Sequence, residues 1–197
     1  MTMTRGLAAA ALLLGGLAGI AGQPVATARG EIDVNHLAST IARELDHVEA
    51  IDLARWIRDG KQGLRVVDVR PPAQFENYRL PAAENIPLDK LGLAVFAPSD
   101  TVVLYSGGGA HAAQAWVLLR ALGLRQVFFL SGGLDEWVND VMRPLLPDDA
   151  TPGEKAAFQS TAGISRYFGG TPRTGPRPAA GSTDGTDAAA RLKRRGC

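Results

Sequence analysis

Hydrophobic positions along the middle of the chain follow two alternating rhythms. Leu37, Ile41 and Leu45 stand four residues apart and predict an amphipathic helix over about 35–46. A short extended piece around His47–Ile51 comes next. Leu53, Ala54, Trp56 and Ile57 predict a second helix, with Asp52 as its N-cap and Gly60 as its stop. The run Leu64–Val69 is compact and rich in valine, as in a strand buried on both faces, and Thr101–Tyr105 and Gln126–Leu130 repeat it. Between the last two, His111–Leu122 has only His111, Gln114 and Arg120 as polar members, which predicts a helix buried on most sides. The helical pattern resumes to about Met142, breaks at Pro144 and Pro147, and returns as a weak apolar stripe over Gly153–Tyr167. Short strands alternating with helices define an α/β chain with a parallel sheet flanked by helices.

The two ends read differently. Met1–Arg5 carries a single positive charge, Leu7–Ala21 is an uncharged run, and Ala26-Thr27-Ala28 supplies the small residues of a cleavage site. This pattern predicts a secretory leader and a periplasmic or otherwise extracytoplasmic protein. The alternative is an uncleaved N-terminal membrane anchor, although the run is shorter than the roughly 20 residues a spanning helix needs. Thr171–Cys197 is rich in Gly, Pro, Ser, Thr and Ala and has Leu192 as its one large apolar residue. It reads as a disordered basic tail.

Composition narrows the function classes. Hydrophobic residues at 46% and charged residues at 21% are ordinary globular values and exclude a wholly disordered chain. A net charge of +1 gives no argument for nucleic-acid binding. The charge is nevertheless polarised. Residues 171–197 carry a net +4, with Arg191, Lys193, Arg194 and Arg195 close together, whereas residues 29–170 carry a net −4. The single cysteine, Cys197, excludes an internal disulfide and a cysteine-based metal cluster, and no cofactor or metal is expected.

The segment with candidate chemistry is Ser106-Gly107-Gly108-Gly109-Ala110-His111, which leaves a buried strand and enters a helix through three glycines. Glycines let the backbone approach a ligand, and a helix N-terminus adds free N–H donors and partial positive charge. The residues therefore read either as an anion cradle or as a tight turn. His36 stands in a predicted helix, and His47 with Asp46 and Glu49 forms an exposed polar cluster rather than a metal site. Trp56, Trp116 and Trp137 read as core packing, and Asp68 with Arg70 as a structural pair at the sheet end.

Four ordered stretches carry a family resemblance: Leu64–Arg70, Phe75–Pro87, Thr101–His111 and Leu130–Trp137. In order and spacing they resemble a rhodanese domain, which implies the rhodanese α/β fold. The resemblance covers about 48–143, and with the patterns at the ends the chain divides into a leader (1–28), an N-terminal helical segment (29–47), a rhodanese-like domain (48–143), a C-terminal helical extension (144–170) and a disordered basic tail (171–197). Active members of the family place a cysteine at the start of the six-residue loop and commonly an arginine at its end. Ser106 and His111 occupy those positions here. A serine hydroxyl cannot hold sulfur as a persulfide, and histidine does not replace the guanidinium fork.

The expectation is an exported rhodanese-like protein without cysteine-based sulfurtransferase activity, a pseudoenzyme that binds a small oxyanion or sulfur species at Ser106–His111. His111 would add charge to that site when protonated. Two alternatives stand beside it: a non-catalytic scaffold for a protein partner in the cell envelope, and a sulfurtransferase or hydrolase acting at Ser106 with His111 as its base. Membrane contact is expected only through an uncleaved leader or the basic tail. Cys197 is not expected to serve the loop, because the tail shows no recognisable docking sequence.

Overall fold

The protein is described by a computed structural model covering residues 33–178. Its centre is a five-stranded parallel sheet of β1 (His47–Val48), β2 (Leu64–Asp68), β3 (Ala83–Asn85), β4 (Thr101–Tyr105) and β5 (Val127–Leu130), in the order β1-β5-β4-β2-β3. In β2 and β4 successive side chains enter opposite cores, as the pleat requires. Val66, Val103 and Tyr105 join one cluster with Trp137, while Val67, Val102 and Leu104 join another with Trp116. Both sheet faces are therefore buried, which explains why these strands read as near-continuous apolar runs.

Helix α1 (Val34–Ala42) is capped by Asp33, whose side chain accepts from the His36 amide at 2.9 Å. The expected end near 46 is corrected, because Glu44 takes a positive φ of 54° and breaks the turn. Leu37 packs against the second core, whereas Ile41 and Leu45 stay exposed. Helix α2 (Ala50–Arg58) starts one turn earlier than expected, with Glu49 and not Asp52 at the N-cap. Asp52 lies in the first turn and pairs with Arg55 at 2.7 Å. Gly60 is the stop the sequence predicts. At φ 64° its amide donates to the Ile57 carbonyl, and that of Lys61 donates to Trp56, which together close the helix end.

Three elements lie in a stretch that no periodicity marks: α3 (Pro72–Asn77), β3 and a 3₁₀ turn at Leu88–Leu93. Helix α4 (Ala110–Ala121) buries Ala112, Ala115, Trp116 and Leu119 but exposes Val117 and Leu118. The expectation of burial on most sides is thus corrected to one face. The chain then forms α5 (Gly133–Glu136), which widens into a π-helical stretch at Trp137–Met142.

Beyond Met142, β6 (Leu145–Pro147) pairs in parallel with β7 (Arg173–Gly175), and α6 (Pro152–Tyr167) crosses between them. Reading the whole tail from 171 as disordered is therefore corrected for residues 171–178. The pairing uses backbone groups alone, so the sequence Arg173-Thr174-Gly175 gives no apolar signal of it. Arg177 adds contacts to Asp149 at 3.0 Å and Glu154 at 3.0 Å. The leader and the Arg191–Cys197 segment lie outside the described residues.

Thr151 and Glu154 form a reciprocal cap on α6, and the bonds from Arg177 and Thr151 lower the Glu154 carboxyl to about 2. Thr151→Ala is expected to destabilise the protein by about 1 kcal/mol in urea unfolding. Because the Glu154 pKa is depressed on folding, its contribution is full above the ordinary carboxylate range and is lost as pH falls towards about 2. The stability difference between the protein and Glu154→Gln should shrink accordingly in acid. A constant difference would contradict this account.

Candidate functional site

The candidate loop runs from the carboxyl end of β4 into α4, at the edge of the sheet where α/β proteins commonly bind ligands. Ser106 is buried, at 2% exposure, as a direct continuation of the fully buried Val102–Tyr105. Gly109, at φ 87°, is the N-cap of α4, and a Cβ there would meet the Gly132 amide nitrogen at 3.4 Å. Gly132 and Gly133 both take φ 59°, and Gly133 is seated against the loop backbone. A Cβ on Gly133 would collide with the Ser106 carbonyl oxygen, and would lie 2.6 Å from the Gly107 oxygen and 2.7 Å from the Gly109 nitrogen.

This contact orients the loop. The amides of Leu134 and Asp135, in the first turn of α5, donate to the carbonyls of Ser106 at 3.0 Å and Gly107 at 3.2 Å. A trans peptide directs each carbonyl opposite to the following N–H. The amides of Gly107 and Gly108 therefore turn away from α5. The first turn of α4 presents its own unbonded N–H groups at Ala110 and His111.

Beneath the loop lies a polar layer. Asp68, fully buried, accepts from the Arg70 backbone amide at 2.9 Å and from its guanidinium at 2.6 Å. Arg70 also donates to the Tyr78 carbonyl, and Asn85 donates to the carbonyls of Asp68 and Arg70. The Tyr105 hydroxyl accepts from the Leu80 amide at 3.2 Å. Burial, above all, raises this hydroxyl well beyond the ordinary phenol range, so it stays protonated. Asp68 and Arg70 are thus the structural pair that the sequence suggests.

The remaining candidates separate. His111 is exposed on the first turn of α4, and among the described residues no hydrogen bond joins its ring to the Ser106 hydroxyl. One buried side chain and one exposed side chain do not form the nucleophile–base pair that a serine mechanism needs. The cluster at His47 is corrected from exposed to half-buried. Its Nδ1 lies 2.9 Å from the buried Asp46 and its ring 5.5 Å from that of Phe129, while Glu49 stands 3.6 Å from Nε2. Among the described residues no group of three or more His, Cys, Asp or Glu is arranged to hold a metal ion.

The acidic character of the loop's surroundings is absent from the sequence reading. A Cβ on Gly108 would lie 3.7 Å from Asp135 Oδ2, and the Glu136 side chain folds back over Gly132. Burial raises the Glu136 pKa most, followed by the charge of Asp140, with Glu49 and Asp135 adding to it. Asp135 and Glu136 lie in α5, and Asp140 follows Glu136 by four residues, a spacing that could have grouped them. Glu49 arrives from the N-cap of α2, which only packing reveals.

Residues 49–140 match the family described as rhodanese-like domain. This segment is a rhodanese-like domain, the class its parallel sheet and strand-to-helix loop define. The uncharacterized protein YqhL of Bacillus subtilis is 30% identical over 82 residues, a span that takes in 41% of this chain and 65% of the relative's own length. Among solved structures, a rhodanese-like domain from Anabaena is 25% identical, with a TM-score of 0.43, and the match covers 47% of this chain and 72% of that one. A Bacillus halodurans protein is 26% identical, with a TM-score of 0.42, and the match covers 53% of this chain and 80% of that one.

Two outcomes follow from this geometry. Gly133→Ala adds an L-residue penalty at positive φ to a backbone collision, so it should lower stability by at least about 2 kcal/mol in denaturant unfolding. An unchanged midpoint would refute the close approach. The Glu136 carboxyl has a raised pKa in the folded state, so its ionisation opposes folding as pH rises through that value. Glu136→Gln should therefore raise the melting temperature at about pH 7.5 and leave it unchanged at about pH 3.5, below the unfolded carboxylate value. A stabilisation that is equal at both pH values would contradict this assignment.

Proposed function

We propose that this rhodanese-like protein binds a small oxyanion or sulfur species at the Ser106–His111 loop and carries out no cysteine-based sulfur transfer. The supporting observation is the bonding of the Ser106 and Gly107 carbonyls to α5, which directs the following amides to the opposite side. Ser106 supplies an oxygen where a thiolate would be needed. It can donate or accept a hydrogen bond, but it cannot store sulfane sulfur. His111, at the helix start, adds a ring donor for the anion. A hydrolase or transferase reaction at Ser106 is disfavoured, because His111 makes no contact with the hydroxyl.

A second reading draws on a different observation. Asp135 and Glu136 place carboxylates beside the cradle, which works against net anion affinity and favours a docking role. The secretory pattern of residues 1–28 supports a place outside the cytoplasm, with an envelope protein as partner. Among the described residues no helix is long and apolar enough to cross a membrane.

Calorimetric titration with thiosulfate, sulfite, sulfate and phosphate separates the two readings. Under the first, at least one anion binds, His111→Ala weakens it, and Asp135→Asn strengthens it by removing a repulsive charge. Heats that stay at the dilution background for all four anions, in the protein and in Asp135→Asn alike, would reject the anion site and leave the scaffold reading.

A further inference from the structure

Helix α4, which follows the candidate loop, is apolar almost all round. Its polar members are His111, Gln114 and Arg120, and the Arg120 guanidinium turns back onto the carbonyls of Leu124 at 3.4 Å and Arg125 at 2.7 Å. A helix of this composition is ordinarily buried on every side. Here the core covers one face, through Ala112, Ala115, Trp116 and Leu119, and the opposite face is open. Gln114, Val117, Leu118, Ala121 and Leu122 lie along that outer face at the i, i+3, i+4, i+7 and i+8 positions of a single stripe, with no charged residue among them. The apolar surface continues beyond the helix. Leu122 lines a cleft of about 320 Å³ together with Phe96 and Pro98, and the chain entering that cleft exposes Leu93 and Val95. Leu91 shares a core with Trp116, so the 3₁₀ turn and α4 lie side by side over the same face of the sheet.

We propose that this face joins two copies of the chain, with α4 of one packed antiparallel against α4 of the other about a two-fold axis near Val117 and Leu118. A two-fold interface requires a patch that matches itself, and a stripe without charge meets its own copy with no like-charge repulsion. A charged partner, by contrast, finds no counter-ion on it. The spacing of the stripe supplies the ridges and grooves through which two helices interlock. Antiparallel packing also sets the positive end of one helix dipole beside the negative end of the other. The available area is of the right order. Val117 is 44% exposed, Leu118 51%, Leu122 62%, Leu93 82% and Val95 86%. At roughly 100 Å² for a fully exposed Val or Leu side chain, these five expose about 300 Å² per copy. A standard interface buries about 800 Å² per partner, of which about 450 Å² is apolar, so the five supply about two-thirds of that apolar area. The stripe begins about one helical turn beyond His111. The pairing therefore stands whichever reading of the Ser106–His111 loop holds.

The test is sedimentation of the full chain carrying Cys197→Ser, which removes the single native thiol. The chain should pass from monomer to dimer between about 1 and 100 µM. Leu118→Glu brings a carboxylate to the axis from each copy, so it should weaken the dimer about 100-fold or more. The melting temperature of its monomer should stay unchanged, because Leu118 is outside the core. Tyr167→Glu, at an exposed position on α6, should leave the dimer intact. Crosslinking gives a second readout that does not depend on how the Glu variant folds. With Cys197→Ser in place, Leu118→Cys should form an intermolecular disulfide about tenfold faster or more than Tyr167→Cys. A chain that stays monomeric at about 100 µM would overturn the proposal. So would a dimer that persists in Leu118→Glu, association weakened equally by Leu118→Glu and Tyr167→Glu, or equal crosslinking rates at the two positions. Binding to phosphatidylglycerol vesicles that Leu118→Glu abolishes, by a chain that is monomeric in solution, would assign the stripe to a lipid surface instead.

Discussion

The site depends on one close contact between two backbone turns. Gly133, in the left-handed region like its neighbour Gly132, packs against Ser106, Gly107 and Gly109 at distances that no Cβ would allow. That approach lets the α5 amides reach the Ser106 and Gly107 carbonyls and so determines which way the loop peptides face. It also sets the start of α5 and therefore the position of Trp137, fully buried four residues further on. A single constraint thus links loop orientation, helix placement and one of the two cores.

Under that contact, the carboxyl edge of the sheet is held rigid by polar groups that are almost all bonded to one another. The cost of burying the Asp68 carboxylate is offset by Arg70, which supplies both charge and directed donors. Asn85 and Tyr105 fix the neighbouring backbone. Such a floor suits a loop that must hold its shape, whether the occupant is an anion or a peptide. The chemistry available at the loop is then decided by the side chain at position 106. Oxygen in place of sulfur keeps the hydrogen bond and removes the persulfide.

Electrostatics gives the mouth a second property. Directed amides favour a negative group, while the carboxylates of Asp135 and Glu136 beside the loop work against one. These preferences act at different distances, since hydrogen bonds select within the loop and the rim field acts further out. A small anion held within the loop satisfies the first preference at the shorter distance.

Much of this was legible in the chain itself. Alternating apolar runs identified the central strands, because both sheet faces are buried. The three glycines located the loop, and Ser106 against the family pattern is what underlies the proposal of a protein without persulfide chemistry. The stop at Gly60 was readable because a left-handed helix end requires glycine there. The sequence could not show β3 or β7, whose three-residue pairings use backbone groups and leave no hydrophobic period. Nor could it show that Ser106 is buried while His111 is exposed, since neighbours in a turn diverge according to what packs beneath them. The acidic surroundings of Glu136 were invisible for the same reason. Glu49 lies far from Glu136 along the chain, and only the packing of the fold brings its charge to bear there.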